Sequence, residues 1–266
     1  DIKKLEVAIR LGVRFLDRVI DVNTFPTDEI RDWALENRPV GLGLMGLADY
    51  YLARGVAYGS KQSLEELTFI LGFMKAIAED ESIQLGTEVE IPDACINLPT
   101  PRRNITVLTI APTGTISLIA GCNSGIEPIF SEITFRNDKT GSYEFVHDLA
   151  DKDYFRCAVA SNGAREVTWE EHIDILATAQ RFVDSGVSKT INFPNHTHRE
   201  TIAKAFMSAW ERGCKGITVY RNGSRQVEVL SPKNLKKNKC PMCEADVIKY
   251  DGCTKCTKCE WSLCSV

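Results

Sequence analysis

Residues 168–221 read TWEEHIDILATAQRFVDSGVSKTINFPNHTHRETIAKAFMSAWERGCKGITVYR, and the order of signals within them decides the fold class. Thr168 and Glu171 have the spacing of a capping box, in which a hydroxyl and a carboxylate three residues on satisfy helix-end N–H groups reciprocally. The helix that follows is expected to run to Gly186, ahead of the β-branched strand KTINFP (189–194). Thr197 and Glu200 repeat the spacing. That second helix puts Ile202, Phe206, Ala209 and Trp210 on one face, stops at Gly213 and leads into the strand GITVYR (216–221). Helix, glycine stop and strand, twice in succession, predict a parallel α/β sheet with crossover helices.

Upstream the same logic holds. ITVLTIAP (105–112) is an apolar, β-branched run short enough for a buried strand, and it feeds TGTISLIAG, a loop and a helix start. Residues 3–20 place Leu5, Ala8, Ile9, Leu16, Val19 and Ile20 on one helical stripe. Ser63 and Glu66 are spaced as a capping box before the long amphipathic run LTFILGFMKAIAEDESIQ. In RPVGLGLMGLADYYLARG (38–55), Gly41, Gly43 and Gly46 imply close backbone approach, to a neighbouring strand or to a ligand. GLGLMG lacks the preceding strand of a dinucleotide fingerprint, which excludes that match. Residues 123–165 yield no assignment. Around SPKNLKKNK (231–239) apolar periodicity disappears and lysines gather, the pattern of a solvated linker.

Hydrophobic residues make up 44% of the 266-residue chain and charged ones 26%, as in ordinary soluble proteins. No run approaches the roughly 18–20 apolar residues of a membrane span, and no signal peptide opens the chain. A formal net charge of −4 argues against broad electrostatic capture of nucleic acid. A cytoplasmic, reducing setting is expected, in which clustered cysteines bind metal or do redox chemistry. The chain opens without Met and already in a helical pattern, which points to a piece of a longer polypeptide.

Three places carry chemistry. In APTGTIS (Ala111–Ser117) a strand ends, a glycine permits close approach and hydroxyl side chains surround a helix start. Unpaired N–H groups and the helix dipole then converge on one point, which is how α/β proteins hold phosphate. An ordinary threonine N-cap is the competing reading. No Lys follows the glycine, so this is not a Walker loop. The second place is the pair of strand ends, where parallel sheets gather function. Asn192, Asn195, His196, His198, Tyr220 and Arg221 fall there. His196 and His198 suggest a metal pair, but with no third ligand evident one ring is expected to cap the helix and the other to be solvated.

The third place is the tail, KCPMCEADVIKYDGCTKCTKCEWSLC (239–264), with six cysteines. Cys240 and Cys243, then twelve residues, then Cys256 and Cys259, have the spacing of a zinc ribbon, with a hairpin turning at Asp251-Gly252 between the knuckles. Cys253 and Cys264 are then spare, and a spare pair in a reducing cell suggests thiol–disulfide exchange, against the plainer reading of bystanders or alternative ligands. A second partition gives zinc Cys240, Cys243, Cys253 and Cys256 and leaves Cys259 and Cys264 as the dithiol. Glu-Trp after Cys259 favours the first.

RPVGLGLMGLADYYLARG, APTGTISLIAGCNSGIEPIF, KTINFP and GCKGITVYRNGSR, with the six-cysteine tail, closely resemble the carboxyl-terminal part of adenosylcobalamin-dependent (class II) ribonucleotide reductases. The resemblance runs along essentially the whole chain. It implies the later half of a ten-stranded α/β barrel over residues 1–230, a flexible linker over 231–239, and a zinc ribbon with a redox tail over 240–266. It implies that Thr113, Gly114, Thr115, Ile116 and Ser117 hold the phosphates of a ribonucleotide, either di- or triphosphate. Adenosylcobalamin is the implied cofactor besides zinc. In such enzymes a thiyl radical takes the ribose 3′ hydrogen, the 2′ hydroxyl leaves as water, and a cysteine pair in the barrel is oxidised to a disulfide. A tail dithiol re-reduces it and a thioredoxin-like reductant recharges the tail. On this reading four tail cysteines hold zinc and two shuttle electrons.

The chain departs from the family in two respects. It has no Asn-x-Cys-x-Glu loop for the radical cysteine, and it lacks the thiols of the first barrel half. Cys95, Cys122, Cys157 and Cys214 read as buried or incidental. The expected partner is the N-terminal half of the enzyme, and turnover alone is not expected. Two alternatives stand beside this reading. The large subunit of a class I reductase would need a tyrosine pair near the last strand, where ITVYRNGS has Tyr220 alone. A binding module gripping nucleic acid through Lys249, Lys255 and Lys258 would need a stacking platform, whereas Trp261 reads as packing for a small zinc core.

Overall fold

A computed structural model describes residues 1–138, 141–160, 165–224, 230–231, 245, 247–250, 253–259 and 262–264. Helix α1 (Ile2–Val22) opens on Asp1, whose carboxylate accepts the N–H groups of Lys3 and Lys4. It buries Ile9, Val13 and Asp17, with Leu5, Leu16 and Ile20 alongside. Ala8 and Val19, expected on the buried stripe, face outward with Val7, Leu11, Phe15 and Val22. The helix is apolar on two flanks, so its period alone does not select the inner one.

Helices α2 (Asp28–Asn37), α3 (Leu47–Arg54), α4 (Lys61–Glu88) and α5 (Asp93–Ile96) follow. The α4 cap lies one turn before its expected place. Ser60 caps the Ser63 N–H, and the expected capping pair Ser63–Glu66 lies inside the helix. Helix α6 (Ile116–Ala120) and the antiparallel hairpin of β1 (Ile133–Asp138) and β2 (Gly141–Val146) occupy the region that resisted sequence assignment and its approach. Helix α7 (Trp169–Gln180) carries the expected Thr168–Glu171 capping box but ends before Gly186. Strand β3 (Thr190–Phe193), helix α8 (Arg199–Glu211) and strand β4 (Thr218–Arg221) complete the repeated unit. The Thr197–Glu200 box does not form: His198 holds the N-cap position of α8, and its ring makes no capping hydrogen bond. Ala205 and Ala209 are the residues that α8 buries, because their small side chains let the helix approach closely. Phe206 and Trp210, expected inside, are 45% and 73% exposed.

The sheet is parallel and open. Leu42 donates to the Val107 carbonyl at 2.9 Å and Thr109 donates back to Leu42 at 3.0 Å, laying residues 40–42 beside 106–109. Ser188 donates to Ile110 at 2.8 Å, laying that run beside 185–188, and β3 continues into a parallel pairing with β4 from Thr190↔Thr218 to Phe193↔Arg221. The expected strand at 105–112 therefore exists as bridges at Leu108 and Ile110 rather than as a continuous ladder. Asp184, in the turn after α7, steadies it by accepting the Val107 and Leu108 N–H groups. The glycines of the 38–55 segment serve this packing. A Cβ on Gly43 would stand 2.4 Å from the Thr109 carbonyl oxygen, and one on Gly41 2.5 Å from Thr109 Cγ2. Leu67 and Leu71 of α4, Ile173 and Leu176 of α7, and Ile110 and Ile191 of the sheet meet in one core.

A buried ionic cluster ties α1 to this core. Asp17, 1% exposed, accepts from Arg38 Nε and Arg103 Nε at 2.8 Å and from Asn104 Nδ2 at 2.9 Å. Burial alone would raise the Asp17 carboxyl, but hydrogen bonds from Arg38, Arg103 and Asn104 override it and hold it below the usual carboxylate range.

Strand β5 (Leu230–Ser231) pairs antiparallel with Arg136 and Phe135 of β1, so Ser231, expected to open the linker, belongs to a sheet. The tail forms a second antiparallel sheet of β6 (Val247–Tyr250), β7 (Cys253–Cys256) and β8 (Ser262–Cys264). The expected hairpin is thus present, while its Asp251-Gly252 turn, the rest of the linker, the knuckle cysteines Cys240 and Cys243, and Trp261 lie outside the described residues. Among the described residues no helix is long and apolar enough to cross a membrane.

Candidate phosphate loop and cysteine tail

The APTGTIS loop leaves the 106–110 run at the carboxyl end of the sheet. Thr113 adopts a left-handed backbone, φ +54°, which is costly for a β-branched residue. Its hydroxyl compensates by accepting the Gly125 N–H at 2.8 Å. Gly125, itself at φ +46°, comes close enough to do so because it lacks a Cβ, which would stand 3.1 Å from the Ala111 carbonyl oxygen. Ser117 is buried, with its hydroxyl 3.0 Å from that of Ser124 and donating to the Gly114 carbonyl at 3.3 Å. The loop is therefore pinned from beneath by the returning segment 122–128.

What this leaves outward is backbone. Gly114, Thr115 and Ile116 are exposed, and among the described residues their N–H groups find no acceptor. Thr115 sits at the N-cap of α6 without a side-chain capping bond, so the ordinary threonine cap does not form. Of the five residues expected at the site, Gly114, Thr115 and Ile116 present amides to solvent, while the Thr113 and Ser117 hydroxyls are turned inward as supports. A cradle of amides with no carboxylate among those five residues suits an anion.

The strand ends are brought together as expected. Asn195 Nδ2 donates to the Asn222 carbonyl at 2.9 Å, and a Cβ on Gly223 would stand 2.6 Å from Asn195 Nδ2. His196 and His198 are both exposed, and no group of three or more metal-binding side chains occurs among the described residues. Cys157 is buried, and that burial, with Glu132 nearby, pushes its thiol up to about 12. Cys95 is buried as well, and Cys122 and Cys214 are half-buried.

In the tail, Cys256 Sγ accepts N–H groups from Lys258 at 3.2 Å and from Cys259 at 3.3 Å. The two backbone donors wrap the Cys256-x-x-Cys259 turn tightly around one sulfur. Cys253 and Cys264 are register partners across β7 and β8.

A network that sequence reasoning missed lies beneath the loop. Lys189 of KTINFP is fully buried against Glu127 and His172. No local pattern announces it, because Glu127 stands 62 residues away in the chain.

Against known proteins, a family model described as the barrel domain of ribonucleotide reductase matches residues 1–93, 100–162 and 150–220. A vitamin B12-dependent ribonucleoside-diphosphate reductase of Mycobacterium tuberculosis is 34% identical over 95% of this chain and 41% of its own length. One of the same name from Thermoplasma acidophilum is 34% identical over 90% of this chain and 35% of its own. The solved class Id ribonucleotide reductase alpha subunit of Actinobacillus ureae superposes with a TM-score of 0.68 at 21% identity, covering 81% of this chain and 46% of that one. The chain thus spans less than half the length of these relatives.

Proposed function

The chain belongs to the ribonucleotide reductase barrel family, and from that premise we propose that it is the substrate-phosphate and electron-relay portion of a vitamin B12-dependent ribonucleotide reductase. The observation that carries the first role is the set of exposed, acceptor-free amides at Gly114, Thr115 and Ile116. They would receive the phosphates of a ribonucleotide, with the Thr113 and Ser117 hydroxyls fixing the loop from below. The relatives named as B12-dependent reductases support cobalamin dependence. Adenosylcobalamin, when bound, would supply the initiating radical. No residue of this chain is assigned to it.

The second role belongs to the tail. The N–H donors on Cys256 Sγ support Cys256 and Cys259 as one half of a zinc site, with Cys240 and Cys243 as the other. Zinc would organise a segment too small to fold on apolar burial alone. The register of Cys253 with Cys264 supports these two as the dithiol, in preference to Cys259 with Cys264. Their thiols would pass two electrons and two protons to a disulfide elsewhere in the enzyme, closing a bond between themselves, and a thioredoxin-like protein would reopen it. The rest of the barrel, including the radical cysteine, would come from the N-terminal half of the enzyme.

The test has two arms. Titration with a ribonucleoside diphosphate is expected to show binding that Gly114→Val weakens; no binding by the assembled enzyme defeats the loop assignment. Zinc and free thiols are then counted under reducing conditions and after mild oxidation. One zinc retained throughout, with two tail thiols lost and restored by thioredoxin, supports the relay. Expulsion of zinc by oxidation, or failure of a tail disulfide to form reversibly, refutes it.

A further inference from the structure

Lys189 Nζ, with none of its side chain exposed, donates to Glu127 Oε2 at 2.6 Å, to the Thr190 carbonyl at 2.6 Å and to His172 Nδ1 at 2.8 Å. Three donors meet three acceptors, so the ammonium is fully used. The second oxygen of Glu127 accepts the Thr190 N–H at 2.7 Å. Glu127 is thus held by both oxygens to the start of β3.

Glu127 also belongs to the segment on which the loop rests. Asn123 Nδ2 donates to the Glu127 carbonyl at 2.6 Å, and the Tyr58 hydroxyl donates to the neighbouring Ile126 carbonyl at 2.5 Å. Gly125 and Ser124 of the same segment hold Thr113 and Ser117. A continuous chain of contacts therefore runs from buried Lys189 to the left-handed Thr113. That backbone conformation is unfavourable for threonine and persists only while its surroundings enforce it.

We propose that Lys189 and Glu127 are positioning residues for the Thr113–Ser117 loop: the buried pair fixes segment 122–128, which holds the loop amides aimed at an anion. The proposal rests on the phosphate reading of that loop. It differs from a purely structural role in one respect. A buried ion pair exchanged for apolar residues of similar volume often leaves stability unchanged, so a pair kept only for packing is replaceable without consequence for the loop.

The experiment uses the full chain, with inorganic pyrophosphate as probe by calorimetric titration and amide exchange at Gly125 as a ligand-free readout. The double variant Lys189→Met/Glu127→Leu is expected to stay folded with a lowered unfolding midpoint, since the Thr190 N–H and carbonyl and His172 Nδ1 lose their partners, to bind pyrophosphate about tenfold more weakly or worse, and to exchange the Gly125 amide faster. A folded double variant with native affinity and native Gly125 exchange overturns the proposal. Should that variant not fold, Glu127→Gln, which can still accept from Thr190, is judged by the same two readouts. If neither the wild-type chain nor the assembled enzyme binds pyrophosphate, the phosphate reading fails and Gly125 exchange alone decides. Faster exchange then shows only that the pair holds the Thr113–Gly125 contact, with the anion-positioning role overturned, and unchanged exchange removes that contact role as well.

Discussion

Replacing Asp17 by asparagine removes one charge and leaves two buried guanidinium groups facing it. Arg38 and Arg103 each donate Nε to Asp17 at 2.8 Å, and Asn104 adds a neutral hydrogen bond. An asparagine amide offers its NH₂ where one arginine needs an acceptor. Partial compensation exists, since Arg38 also reaches Asp21 and Arg103 also reaches the Glu90 carbonyl. Charged hydrogen bonds contribute about 1.5–3 kcal/mol each, and breaking one partner of a buried pair costs about 3–5 kcal/mol, so Asp17→Asn is expected to lose about 3–5 kcal/mol. Asp21→Asn is the control. Its carboxylate is 32% exposed, and it should lose about 1 kcal/mol or less. Urea unfolding of both variants gives the comparison. Acidity adds a second signature. The folded Asp17 carboxyl lies below the unfolded value of about 3.9, so its contribution is complete above that pH and disappears as pH falls through the folded value. Asparagine does not titrate there, so the gap between wild type and Asp17→Asn should close on acidification. A loss within about 1 kcal/mol at neutral pH, or a gap indifferent to acid, would refute the ionic account of this cluster.

Three further outcomes are expected. Gly43→Ala should destabilise by roughly 1–3 kcal/mol in thermal unfolding, because its Cβ meets a carbonyl oxygen that cannot swing away. Thr113→Gly should relieve the backbone yet weaken pyrophosphate binding by losing the Gly125 contact, whereas Thr113→Ser should keep most affinity; equal affinities in the two would show the hydroxyl to be idle. Cys157, with its thiol near 12, should resist iodoacetamide in the native protein at pH about 8.5 while half-buried Cys122 is alkylated before it, as read by peptide mass spectrometry.

The parts of the fold that were legible are those encoded locally. Thr168–Glu171 forms its capping box, and the helix–strand cadence of 168–221 gives the parallel pairing of β3 with β4. Ser63–Glu66 misled because Ser60, one turn earlier, offers an equally good hydroxyl to the same helix. Phe206 and Trp210 misled because hydrophobicity ranks them above Ala205 and Ala209, while close helix packing selects the smaller side chains. At the site, the position of the loop was legible from its motif. The inward turn of the Thr113 and Ser117 hydroxyls was not, since Gly125 and Ser124 reach them only after the chain doubles back. Asp17 and Lys189 were invisible for a related reason: a charged residue reads as surface until its distant partners are known.

The sheet's pairings also govern the order in which the chain can assemble. Thr106 and Val40 are 66 residues apart and Thr109 and Gly186 are 77 apart, so the central strands must close long loops before any hydrogen bond rewards them. The β6–β7 pairing begins between residues as near in the chain as Tyr250 and Cys253, and antiparallel pairs that local form on a scale of about 1–10 μs. On dilution from denaturant into a zinc-containing buffer the carboxyl-terminal sheet should therefore be in place while the body is still searching for its partners. On the ribosome the sequence of events reverses, because the body emerges first and the tail follows it.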